Sequence, residues 1–194
     1  MSREQRGINP EYTFKIVVGG AGGVGKTTLL HRFLHNVFKA DTSLTVGVTF
    51  KTKELTRNGQ KVTLALWDLG GQDRFRFLQP TFCQGARAGI VFFDMSRFGT
   101  MEQVKDWVAM FRQYAYPHIP IILGGTKLDI VDPRTLRDAT DYAKEMVDKL
   151  GLTGFVPTSA KSGENVEEII TTLVDMLVAQ ALSSKDTAVP TSAP

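Results

Sequence analysis

The chain has 194 residues, 42% of them hydrophobic and 22% charged, a balance that fits one globular domain with a substantial core. Lysine and arginine number 23 against 20 aspartate and glutamate, and this net +3 is interspersed rather than gathered into a run, so no nucleic-acid partner is expected. A lone Cys83 excludes an internal disulfide, and His31, His35 and His118 are too scattered for a Cys/His metal site; both suit a reducing cytoplasm.

Met1–Glu11 is polar, contains Pro10 and reads as a frayed terminus. Phe14–Gly19 is a short apolar run, as expected of a strand buried on both faces. A glycine-rich turn follows, and then a helix over Gly25–Asn36 with Leu29, Leu30, Phe33, Leu34 and Val37 at helical spacing. Lys39–Val46 has no period and reads as a loop. Gly47–Arg57 and Gln60–Trp67 are strands joined by Asn58-Gly59, a hairpin signal because both turn positions need positive φ. Strand and helix then alternate: strand Gly89–Met95, helix Met101–Tyr114, strand Pro120–Gly125, a helix around Leu136–Leu150 stopped by Gly151, strand Phe155–Thr158 and a helix near Val166–Ala181. Asn165 with Glu168 reads as a capping box for the last of these. The pattern predicts an α/β fold of three layers, a six-stranded mostly parallel sheet with one antiparallel edge hairpin and helices on both faces. One domain is expected over residues 12–182, with Ser183–Pro194 a disordered tail. No apolar run approaches transmembrane length. Ser2 and the cysteine-free end leave no lipid anchor to expect.

The chemistry centres on Gly20-Ala21-Gly22-Gly23-Val24-Gly25-Lys26-Thr27, which satisfies the phosphate-cradling pattern G-x-x-x-x-G-K-[ST] between a strand and a helix. Glycines let consecutive backbone N–H groups point inward as a nest for polyphosphate oxygens, and the positive end of the helix faces the same oxygens. Lys26 supplies a cation for the outer phosphates, and Thr27 a hydroxyl for Mg2+. In such a sheet ligands sit at the carboxyl ends of the strands. There Asp68 can hold Mg2+ through a water, Gly71 can bring an N–H to the terminal phosphate, and Thr45 can add a second hydroxyl to the metal. Asp129, closing Thr126-Lys127-Leu128-Asp129, can accept two parallel N–H bonds from guanine, whereas adenine presents an acceptor there. The turn Ser159-Ala160-Lys161 offers a backbone N–H to the guanine carbonyl.

Asp68–Gly71 as D-x-x-G, Thr126–Asp129 as T-K-x-D and Ser159–Lys161 as S-A-K, spaced as they are after this phosphate loop, resemble the small GTPases of the Ras superfamily from about Phe14 to Gln180. That resemblance implies GTP/GDP and Mg2+ as ligands of Gly22, Gly23, Val24, Gly25, Lys26, Thr27 and Thr28 in the loop. It places Phe38 edge-on to guanine, Thr45 at the switch I threonine and Gln72 where the family orients the attacking water. Thr45–Phe50 and Asp73–Arg76 resemble Rab switches, and Phe50, Trp67 and Phe82 match the Rab aromatic triad that faces effectors. Asp68–Gln72 is closer to Arf, and Thr126–Asp129 to Rho. Two positions depart from the common pattern: Thr126 replaces an asparagine that braces the phosphate loop, and Asp73 replaces a glutamate near exchange contacts. Arg74, Arg76 and Arg87 read as solvated faces, so no arginine of the chain is expected to act as a finger. The implied function is a cytoplasmic switch of weak intrinsic GTPase activity, read by effector, exchange-factor and activating proteins. The alternative is an adaptor that binds guanine nucleotide without cycling.

Overall fold

The computed structural model describes residues 11–40 and 44–186. These form β1 (Glu11–Gly20), α1 (Lys26–His35), β2 (Val48–Arg57), β3 (Gln60–Leu69), α2 (Gln79–Cys83), β4 (Ala88–Asp94), α3 (Val104–Tyr114), β5 (Ile121–Thr126), α4 (Pro133–Leu150), β6 (Gly154–Pro157) and α5 (Glu168–Asp186). The strand order is β2-β3-β1-β4-β5-β6, with β2 antiparallel to β3 and the other neighbours parallel. This is the expected six-stranded sheet with one antiparallel edge pair. Asn58 and Gly59 take φ of 50° and 72° at the hairpin turn, as their sequence requires.

Side chains alternate across β1. Phe14, Ile16 and Val18 face a core closed by α1 and α5, and Val17 faces a second core closed by α3 and α4. β4 is buried along its whole length and forms the centre of both cores. Gly19 has no room for a side chain, because a Cβ there would sit 2.3 Å from Cε3 of Trp107 on α3. Cys83 belongs to the second core, wholly buried, and burial pushes its thiol up to about 12. Iodoacetamide at pH 8 is therefore expected to leave the native protein unlabelled while reacting fully in denaturant, with mass spectrometry as the check.

Several boundaries differ from the periodicity. β1 starts at Glu11 rather than Phe14, because β3 continues alongside it in parallel register from Lys61. The helix expected over Met101–Tyr114 is split: Phe98–Gln103 is a 3₁₀ turn, and the α-helix begins at Val104. A further 3₁₀ turn, Asp73–Leu78, leads into α2, an element that no period announced. α4 starts at Pro133 because the Asp132 carboxylate accepts hydrogen bonds from the backbone of Arg134 (3.0 Å) and Thr135 (3.1 Å). Gly151 closes that helix at φ 55°.

The expected capping box on the last helix is not formed. Asn165 stands at φ 55°, and its side-chain amide donates to the Pro157 carbonyl at 2.8 Å, tying the turn to the end of β6 instead. α5 runs to Asp186, past the expected start of the tail; residues 187–194, like 1–10 at the other terminus and 41–43 in the loop, lie outside the described residues. At the far end of the hairpin, the Arg57 guanidinium meets the Asp175 carboxylate of α5 through two nitrogens, Nε to Oδ1 at 2.8 Å and Nη2 to Oδ2.

Candidate functional site

Parallel strands feeding helices on both faces leave a cleft over their carboxyl ends, and β1, β3, β5 and β6 all deliver motif residues to it. The loop after β1 carries Gly20, Gly23 and Gly25 at φ of 134°, 71° and 101°, values that disfavour any other residue. What holds the loop is a set of side chains on its carbonyls. Lys26 donates Nζ to the carbonyls of Gly20 (2.7 Å) and Ala21 (2.9 Å). Thr126 donates its hydroxyl to the Val24 carbonyl at 2.6 Å, within 3.0 Å of the Phe93 carbonyl as well. Each peptide unit is a rigid plane whose N–H points opposite its C=O. Fixing the carbonyl of Val24 therefore fixes the N–H of Gly25. Thr126 thus braces the phosphate loop in the place of the asparagine.

Lys26 is 5% exposed, and burial pushes its ammonium down to about 8, with the charge of Asp68 opposing the fall. Asp68 is buried too, which raises its carboxyl above the usual range against the hydrogen bond from Thr27 and the charge of Lys26. Thr27 Oγ1 donates to Asp68 Oδ2 at 2.5 Å and lies 2.6 Å from Thr45 Oγ1. The three residues expected around Mg2+ therefore converge. Oδ1 of Asp68 is buried with no hydrogen-bond partner among the described residues. An oxygen-only cluster with an orphaned carboxylate oxygen suits a hard divalent cation.

Gly71 lies directly on the loop: a Cβ there would fall 2.3 Å from the Gly20 carbonyl and 2.5 Å from the backbone of Ala21 and Gly22. Gly70, beside it, is held from both sides. Its N–H donates to the Gly47 carbonyl at 2.7 Å, and its carbonyl accepts Nε2 of the buried Gln79 at 2.8 Å. The segment after β3 is thus joined both to the loop before β2 and to α2. Gln72 and Thr45 line the same cleft, of about 250 Å³, with Gly22, Gly23, Lys26 and Thr27.

A second cleft of about 500 Å³ is lined by Val24, Phe38, Asp129, Ile130, Ala160 and Lys161. The two clefts share Gly25, Thr28, Ala40 and Lys127, so they form one groove, polar at the loop and apolar beyond it. Phe38 is 36% exposed on the apolar stretch. Ser159 is buried behind Asp129: its hydroxyl donates to Asp129 Oδ1 at 2.7 Å, and its N–H is taken by the Glu164 carbonyl at 3.0 Å. Ser159 thus fixes the direction of the Asp129 carboxylate, and its own N–H is already engaged within the turn.

Three residues of the site were not anticipated. Asp94, wholly buried at the end of β4, accepts Lys127 Nζ (2.7 Å) and Arg97 Nε (2.8 Å) on Oδ2, and the N–H (3.0 Å) and hydroxyl (2.6 Å) of Ser96 on Oδ1. Burial alone would raise its carboxyl, but these hydrogen bonds outweigh burial and hold it below the usual carboxylate range. Arg97 reaches on to the phosphate loop. Gln79 is the third. The signal was available for Asp94: a carboxylate closing an apolar strand at the ligand end of the sheet needs a partner.

Phe50, Trp67 and Phe82 do come together, with ring centroids 5.2 Å and 5.8 Å apart on either side of Trp67 and Phe50 about half exposed. Arg87 stacks over Tyr116 at 3.8 Å, and Arg76 lies 3.9 Å from Asp106. The side chains of Asp73 and Arg74 lie outside the described residues.

The Ras family profile matches residues 15–179. The Ras-related protein Rab-3A of Homo sapiens and that of Macaca fascicularis are each 32% identical over 188 residues, 97% of this chain and 84% of the relative.

Proposed function

Since the chain belongs to the Ras superfamily of small GTPases and is Rab-like, we propose that it is a guanine-nucleotide switch that binds GTP and GDP with Mg2+ and hydrolyses GTP slowly. The observation that carries this reading is the single groove with the phosphate loop at one end and Asp129 at the other. The triphosphate lies in the nest, with Lys26 neutralising its outer charge, and the base lies between Phe38 and Lys127 with its two adjacent donors on Asp129. Thr27 and Thr45 would hold Mg2+ directly and Asp68 through a water. When bound, the ion supplies charge neutralisation across the outer two phosphates. Gln72 orients the attacking water.

Hydrolysis releases the γ-phosphate from Thr45 and Gly71. Because Gly70 is tied to Gly47 and to Gln79, both switch segments loosen together. Effector, exchange-factor and activating proteins read that change over switch I, switch II and the triad Phe50, Trp67 and Phe82. This reading puts the protein in the cytoplasm, which its lone buried cysteine suits. Among the described residues no helix is long and apolar enough to cross a membrane.

Calorimetry with Mg2+ is expected to show one site for GDP or GTP and far weaker binding of ATP, and labelled GTP to release phosphate over minutes to hours. Tight GTP binding with no release, even with cell extract, would mark a non-cycling adaptor. Asp129→Asn is expected to weaken GDP about a hundredfold, through two charge-assisted hydrogen bonds, and to favour xanthosine diphosphate. Unchanged guanine selectivity would move the base pocket elsewhere.

A further inference from the structure

The carbonyls of the phosphate loop are held from three directions, and only two of the holders belong to the sequence motifs. Lys26 takes Gly20 and Ala21, Thr126 takes Val24, and the third is Arg97: its Nη2 donates to the Gly23 carbonyl at 2.9 Å while its Nε stays on Asp94 Oδ2. Asp94 cannot follow the guanidinium, since it closes β4 and accepts from Ser96 and Lys127 as well. Arg97 is therefore a rigid brace between the sheet and the middle of the loop. By the planarity of the peptide unit, holding the Gly23 carbonyl sets the direction of the Val24 N–H, one of the donors expected to face the phosphates. Gly23 itself stands at φ 71° and offers no side chain to resist rotation.

We propose that Arg97 is a latch on the phosphate loop that sets how long the nucleotide stays bound. It is a positioning residue, acting through Gly23 and Val24 rather than on the reacting phosphate. The proposal rests on the guanine-nucleotide reading above. It differs from the roles of Lys26 and Thr126 in one respect: the Arg97 side chain is about half exposed (51%), so releasing this brace would not require opening the core. Lys127, on the same carboxylate oxygen, lines both parts of the groove, so Asp94 anchors loop and base pocket together.

The test is the dissociation rate of a fluorescent GDP analogue, chased with excess GDP at saturating Mg2+, from the wild-type protein and from Arg97→Ala and Arg97→Lys. Arg97→Ala is expected to release GDP about tenfold faster, and Arg97→Lys, which keeps the charge and loses the bridging fork, to fall between. Single-turnover hydrolysis by protein already loaded with GTP is expected to fall by a smaller factor than the release rate rises, which separates a latch from a transition-state contact. Equal release rates overturn the proposal. Faster release with an equal loss in the hydrolytic step also overturns it, by making Arg97 a general scaffold residue. If Arg97→Ala does not fold, Arg97→Gln carries the same comparison. A wild-type protein that holds no GDP would sink the guanine reading itself, whereas a wild type that holds GDP beside an unaltered Arg97→Ala would sink the latch alone.

Discussion

In the Lys26→Met variant, affinity for GDP and GTP is expected to fall at least about a hundredfold, while the nucleotide-free protein becomes more stable at neutral pH. The two signs have one cause. An ammonium that is 5% exposed and held at about 8 instead of 10.5 costs the empty protein roughly 3 kcal/mol at pH 7. Methionine removes that cost but leaves the carbonyls of Gly20 and Ala21 without their donor, at about 1 kcal/mol each, so the net gain is about 1 kcal/mol. The pH dependence has a definite direction. The folded pKa lies below the unfolded one, so the unfolded chain holds more protons between pH 8 and 10.5, and wild-type stability rises across that window. Urea denaturation of the nucleotide-free proteins at pH 7 and pH 10 measures it. The rise should be absent from the variant. Parallel curves would show that Lys26 does not carry the buried charge.

Gly71→Ala is expected to leave nucleotide binding nearly intact and to lower GTP hydrolysis by at least about a hundredfold. A methyl group at this position meets the backbone of Gly20, Ala21 and Gly22 at 2.3–2.5 Å, and none of these atoms can turn aside as a side chain would. Switch II is then held off the loop by roughly 1 Å, enough to misplace Gln72 and the Gly71 N–H against the terminal phosphate. Single-turnover kinetics on loaded protein would show the loss as a slower chemical step with the GDP release rate within a few-fold of wild type. A normal hydrolytic rate would mean that the close packing of Gly71 has no part in the reaction.

The mostly parallel sheet with helices on both faces follows from alternation of apolar runs with amphipathic segments, and Asn58-Gly59 marks the antiparallel pair, whereas the strand order was not part of that reading. The glycine loop, Asp68 and Asp129, which the structure gathers at one end of the sheet, stood out for a related reason: the chemistry expected of them needs fixed residue types at fixed spacing. The brace through Asp94 and Arg97 did not, because it joins two residues of one strand end to a loop 74 positions earlier, and nothing local marks the arginine. Asn165 misled for the opposite reason. Its spacing to Glu168 fits a cap, but its backbone stands at φ 55° rather than in the extended region a capping residue takes, and its amide nitrogen donates to a carbonyl at the end of β6. α2 is five residues long, too short for any period to appear. Thr126 shows a role surviving a change of residue, since a hydroxyl reaches the Val24 carbonyl from the end of β5.

The ion pair of Arg57 with Asp175 gives the hairpin a fixed end. Val48 and Leu69, at the opposite end, adjoin the two segments proposed to respond to the γ-phosphate, while Arg57, paired with Gln60, is fastened to the last helix. β3 is in turn paired with β1 from Lys61 to Asp68, so the hairpin is seated along one side as well as fastened at its tip. For β2 to slide one register along β3, Arg57 must first let go of α5.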